Sequence, residues 1–157
     1  MALIKLGAKA YKAGQVMQVV RKYTADSSHI TTSSSTFVGS GFAQAITPTV
    51  VGSLLIINFN VSMADANDGS AAAIHSKMFY KTGSGSFASM PSANEYHIAY
   101  NAHAHNRYSP MAHSSSITTT TTDAYTFEPY IRISGGSGAR FSHDKGSIGM
   151  TIFEVAQ

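Results

Sequence analysis

Apolar residues recur at every second position along much of this chain, in segments separated by short runs of Gly, Ser, Asn and Pro. A two-residue period belongs to half-buried strands, whose successive side chains point to opposite faces. In residues 15–23 it sets Val16 and Val20 against Met17 and Val19. Residues 29–38 read as a polar Ser/Thr strand ending in Phe37-Val38, turned by Gly39-Ser40-Gly41, with 42–47 following. Pro48 cannot donate to a ladder, so it marks a strand end or edge. Residues 53–63 give the plainest strand, apolar on one side and carrying Asn58 and Asn60 on the other. Asp68-Gly69 is a type I′ hairpin signal leading into a strand over 72–81. The Gly/Ser loop 82–86 opens a section of low periodicity holding Pro91 and Pro110, in which 96–105 and the Thr-rich 114–122 are further strand candidates. Residues 125–134 and 147–155 close the pattern, separated by turns at 135–138 and 144–146.

Eight or nine short strands with almost no helix predict an all-β fold, an antiparallel β-sandwich of jelly-roll type. Residues 1–14 lack the alternation and are expected to form a short N-terminal arm, leaving 15–157 as a single sandwich domain. Composition supports a packed core with an unusual surface. Hydrophobic residues make up 43% of the 157 and charged residues only 12%, so Ser, Thr, Asn and Gly must cover the outside. The absence of Cys rules out disulfides, thiolate metal sites and cysteine nucleophiles. The apolar run 54–61 is too short to span a bilayer.

The net charge of +3 is unevenly placed: Lys5, Lys9, Lys12, Arg21 and Lys22 all precede the first acid, Asp26. A basic arm on a mildly acidic body is a docking device, and Lys5, Lys9 and Lys12 are its attachment candidates. The body carries no basic stripe, which argues against nucleic acid as a partner.

Chemistry-bearing motifs are sparse. His103-Ala104-His105 would set two imidazoles on one strand face, where they could share a metal. Without a fixed third ligand they read better as exposed polar residues, and no cofactor is expected. Asp65-Ala66-Asn67-Asp68-Gly69 has its Gly one place too early for a calcium loop and reads as a hairpin turn. The acids Asp123, Glu128 and Asp144 lie in no recognisable catalytic context, and no nucleophile elbow or phosphate loop is present, so no enzymatic activity is expected. Tyr96, Tyr100, Arg107, Tyr108, Tyr125 and Tyr130 accompany Asn94, Asn101 and Asn106. Aromatic rings, amides and a guanidinium suit a sugar or a protein partner, so Tyr96, Tyr100, Arg107 and Tyr108 are the candidate receptor-binding residues, the competing reading being the core and rim of a subunit interface.

Several segments together carry a resemblance: residues 15–23, Phe37-Val38-Gly39-Ser40-Gly41-Phe42, Ala45-Ile46-Thr47-Pro48, 54–61, and Ile148-Gly149-Met150-Thr151-Ile152-Phe153-Glu154-Val155. The chain resembles the small β-sandwich domains of tail-fibre and virion appendage proteins of tailed bacteriophages. The resemblance implies the fold and a place on the virion exterior more firmly than a role. It makes the expected function a non-enzymatic structural protein acting in host-surface adhesion, whose partners are other virion proteins and a host surface glycan. A capsid decoration protein is the alternative, and a polysaccharide-degrading tail enzyme the second. Apolar residues on both strand faces exceed what one sandwich interior can hide, so a homotrimer is expected, with Phe127, Ile131 and Phe153 in core or interface.

Overall fold

The computed structural model describes residues 11–25, 30–67, 72–91, 96–100, 109–135, 138–141 and 146–157. Its strands are β1 (Val16–Ala25), β2 (Ile30–Thr32), β3 (Val38–Gly39), β4 (Gln44–Ile46), β5 (Leu54–Asn67), β6 (Ala72–Thr82), β7 (Ala88–Ser89), β8 (Tyr96–Tyr100), β9 (Ser109–Thr118), β10 (Tyr125–Ser134), β11 (Gly138–Phe141) and β12 (Ser147–Val155). All pairings are antiparallel and fall into two sheets.

Sheet A runs β1-β12-β5, with β9 also on β5, and with β11 on the far end of β5 and β2 on β11. Sheet B runs β10-β6, flanked on β10 by β3 and β4 and on β6 by β7 and β8. Setting the short β2 and β11 aside and counting β3 with β4 and β7 with β8 as interrupted edges, the orders are first-last-third-sixth and second-seventh-fourth-fifth. That is the double Greek key of a jelly roll. The sandwich interior is built from alternate residues of both sheets: Leu55, Ile57, Phe59 and Val61 of β5 and Ile148, Met150 and Ile152 of β12 face Ile74 and Met78 of β6 and Tyr125, Phe127, Ile131 and Ile133 of β10.

The predicted bounds of β10 and β12 agree with the structure. Three expectations do not hold. A hairpin at Asp68-Gly69, which lie outside the described residues, would pair β5 with β6, but these strands sit in different sheets, as a Greek key requires. The polar strand over 29–38 is broken: β2 stops at Thr32, and the Ser34 hydroxyl ties the Thr36 backbone in a local turn. The turn-rich stretch after β10 holds β11, and twelve strands are present among the described residues, against eight or nine expected.

Pro129 sits inside β10, where a missing N–H should damage a ladder. Its carbonyl accepts from Ser40 N–H at 3.3 Å, so its nitrogen points to the same edge. That edge is interrupted there: β3 pairs with Tyr130 and Ile131 and β4 with Tyr125 to Phe127. The proline therefore coincides with the gap in the neighbouring strand and wastes no partner.

Candidate functional site

Two buried glutamates explain why the conspicuous sequence segments stand where they do. Glu154, fully buried near the end of β12, accepts from Gln18 Nε2 at 2.6 Å, Thr49 N–H at 2.8 Å, Thr49 Oγ1 at 3.0 Å and Ser53 Oγ at 2.8 Å. It thereby fastens the turn after Ile46-Thr47-Pro48 to the terminal strand. Glu128 of β10, nearly buried, accepts from Gly41 N–H at 2.6 Å across the interrupted edge. Gly41 has φ of 75°, and a Cβ on Gly39 would stand 2.7 Å from Glu128 Oε1. Both carboxylates hold backbone turns.

The outward face of sheet B carries an aromatic cluster. Phe79 stacks on Tyr130 at 4.0 Å between centroids, with Phe37 6.1 Å from Phe79 and Phe87 5.7 Å from Tyr130. Cations cover the outer rings: Arg132 lies over Phe37 at 5.3 Å and Lys81 over Phe87 at 5.1 Å. His75 joins the cluster through Ser134 at 2.9 Å and Arg132 at 3.4 Å. All four rings are half-buried, and partial burial, followed by the Glu128 carboxylate, holds the Tyr130 phenol above its usual pKa. Rings under cations on a solvent face make a surface suited to a protein partner.

The outward face of sheet A has an apolar strip at one end. Val19, Phe153 and Ile56 are cross-strand neighbours, as are Val16, Val155 and Leu54. Val16 and Val19 are half-exposed, at 50% and 51%, and the other four are partly buried.

Of the sequence-predicted residues, Tyr125 and Tyr130 are not brought together. They lie on opposite faces of β10, and Tyr125 is buried in the core with its hydroxyl accepting from Thr120 N–H at 2.8 Å. Tyr96 and Tyr100 take positions in β8 opposite Ser76 and Ala72. Arg107, Tyr108, His103, His105, Lys5 and Lys9 lie outside the described residues. Lys12 is exposed in the turn before β1. Phe127 and Ile131 are core residues, whereas Phe153 faces outward. No group of three or more His, Asp or Glu with metal-binding geometry occurs among the described residues. Phe37, Phe79 and Phe87 escaped sequence reasoning because they come from separate strands and loops; the available signal was Phe79 and Tyr130 each standing out of phase with its strand's apolar side.

His113 of β9 is buried against Phe59 at 5.0 Å, with Nε2 3.5 Å from Ser76 Oγ of the opposite sheet. Desolvation lowers its pKa from 6.5 to about 4, so it is neutral at pH 7.

No protein-family model matches the chain, and no curated protein matches it in sequence. Among solved structures it is similar to infectious bursal disease virus, Gx strain, at 12% identity and a TM-score of 0.50, over 92% of this chain and 39% of that one. It is also similar to a subviral particle of the VP2 protein of infectious bursal disease virus, at 13% identity and a TM-score of 0.49, over 89% of this chain and 38% of that chain. Eiger TNF from S. frugiperda gives 11% identity and a TM-score of 0.47, over 88% and 92% of the two chains. The likeness to the Gx-strain structure is one of fold. It agrees with the jelly roll that the strand order defines.

Proposed function

We propose that this chain is a non-enzymatic structural protein of a tailed-bacteriophage virion, carried on the exterior as a homotrimer and acting in host-surface adhesion. The observation that supports the reading is the placement of contact chemistry on both outward faces of a rigid jelly roll. A sparsely charged chain with an apolar strip on one sheet and an aromatic–cation cluster on the other has surplus surface for partners. The fold shared with infectious bursal disease virus is compatible with a virion component. In this reading the trimer covers the apolar strip around Val19 and Phe153, the arm attaches through Lys5, Lys9 and Lys12, and the segment bearing Tyr96, Tyr100, Arg107 and Tyr108 contributes to receptor contact.

The second reading, a capsid decoration protein, draws on the same strip, which would serve equally to clamp shell subunits. Imaging virions that carry a labelled copy separates the two. Label confined to the tail supports the adhesion reading, label distributed over the shell supports decoration, and absence from purified virions overturns both. Release of reducing sugar from bacterial polysaccharide by the purified protein would instead support the tail-enzyme reading.

A further inference from the structure

Beyond the apolar strip, the outward face of sheet A changes character. One row across four strands reads Tyr23, Gly149, Asn60 and Ala112; the row beside it reads Arg21, Thr151, Asn58 and Ser114. At a strand spacing of about 4.8 Å each row is roughly 14 Å long. The first row alternates large and small. Gly149 leaves a gap into which Asn60 leans: a Cβ at Gly149 would stand 2.7 Å from Asn60 Oδ1. Past Asn60, beside the small Ala112, lies a shallow and mostly apolar hollow of about 360 Å³, lined by Asn58, Phe59, Asn60, His113 and Ser114. At the other end Tyr23 is 53% exposed, with the Arg21 guanidinium 5.2 Å from its ring centroid on one side. The second row is polar throughout and sets a guanidinium, two hydroxyls and an amide beside the first.

Each part has a counterpart in one ligand class. The C–H face of a pyranose packs against an aromatic ring, and its vicinal hydroxyls match an amide, which donates and accepts from adjacent atoms. A row that alternates large and small beside a row of polar side chains presents ring, amide and hydroxyl groups side by side to a flat, extended, hydroxyl-rich chain. Asn58, Asn60, Arg21 and Tyr23 make the same combination of ring, amides and guanidinium that the sequence suggested for the segment around Tyr100, assembled on a rigid sheet.

We propose that this half of sheet A's outward face binds a polysaccharide chain running across β1, β12, β5 and β9, with Tyr23 stacking on one sugar and Asn58 and Asn60 bonding to the hydroxyls of the next. The site gives the glycan of the proposed adhesion its place on the fold, and rests on that reading. The substitutions that test it fall on exposed side chains that leave the core untouched: Tyr23→Ala, Tyr23→Phe and the pair Asn58→Ala with Asn60→Ala.

The full-length protein and each variant are applied to a printed array of bacterial oligosaccharides of four or more pyranose units, and adhesion to host cells is measured in parallel. The wild type should retain one or more glycans. Tyr23→Ala and the double Asn variant should each weaken the same glycan about tenfold or more, the scale of one lost stacking or bidentate contact, while Tyr23→Phe stays within about threefold because the ring remains. Unchanged melting temperatures confirm that folding is not the cause. Glycan binding that none of the variants alters overturns the site, as does a wild type that adheres to cells but binds no glycan, an outcome that leaves adhesion standing. Glycan binding that the variants abolish, with no wild-type adhesion to cells, keeps the site and overturns the adhesion reading.

Discussion

Glu154 shows how a buried carboxylate can be spent on structure. Its carboxylate meets only donors: Gln18 Nε2, two contacts from Thr49 and the Ser53 hydroxyl. Glu154→Gln keeps the shape but turns an NH₂ group against those donors, so it should lower stability by about 2–3 kcal/mol, measured by urea unfolding, since buried donors are left unpaired. His113 supplies a pH dependence. The folded state holds a neutral imidazole with pKa about 4, while the unfolded residue takes a proton near 6.5. The unfolded state thus binds more protons between these values. The contribution is complete above about pH 6.5 and declines as pH falls toward 4, by about 3 kcal/mol in all. His113→Phe should flatten that part of the stability profile, and an unchanged slope in urea midpoints between pH 4 and 6.5 would contradict the assignment. Neither effect was legible in sequence. Glu154 and Thr49 are 105 positions apart, and only the closure of the sandwich makes one the acceptor of the other.

At the scale of elements, strands were legible and partners were not. β10 and β12 stand out because their apolar alternation is long and Gly-bearing turns follow the first and precede the second. The Asp68-Gly69 signal misled because turn chemistry is local, whereas sheet membership depends on which strand arrives later at each edge. The interrupted edge around Gly41 offers a direct test. Nothing lies within 4 Å of a Cβ built there, and φ is 75°, so Gly41→Ala should lose about 1 kcal/mol of thermal stability from backbone strain alone. The arm gives a complementary prediction. Deleting residues 1–10 stops short of the Gly14 N–H to Ala156 carbonyl bond and should change stability by less than about 1 kcal/mol in thermal unfolding. Normal incorporation of that truncated protein into virions would refute attachment through Lys5 and Lys9.

For the whole molecule, fold class was readable because it follows from period, composition and turn spacing, all of which are properties of the chain alone. The contact faces were not, since the Tyr23–Asn60 row draws on strands separated by most of the sequence. Val19 is half-exposed already, so Val19→Asp should leave the protomer folded while shifting a trimer to monomer in light scattering at micromolar concentration. A wild-type monomer under those conditions would count against the assembly. One further consequence comes from the position of β12 between β1 and β5. The two strands that flank it are synthesised far ahead of it, and both hold an open edge until residues 147–155 have emerged from the ribosome. Jelly-roll closure therefore waits for β12, is dominated by distant pairings and is correspondingly slow. During that interval β5, long and apolar, is the segment most exposed to pairing with a neighbouring nascent chain.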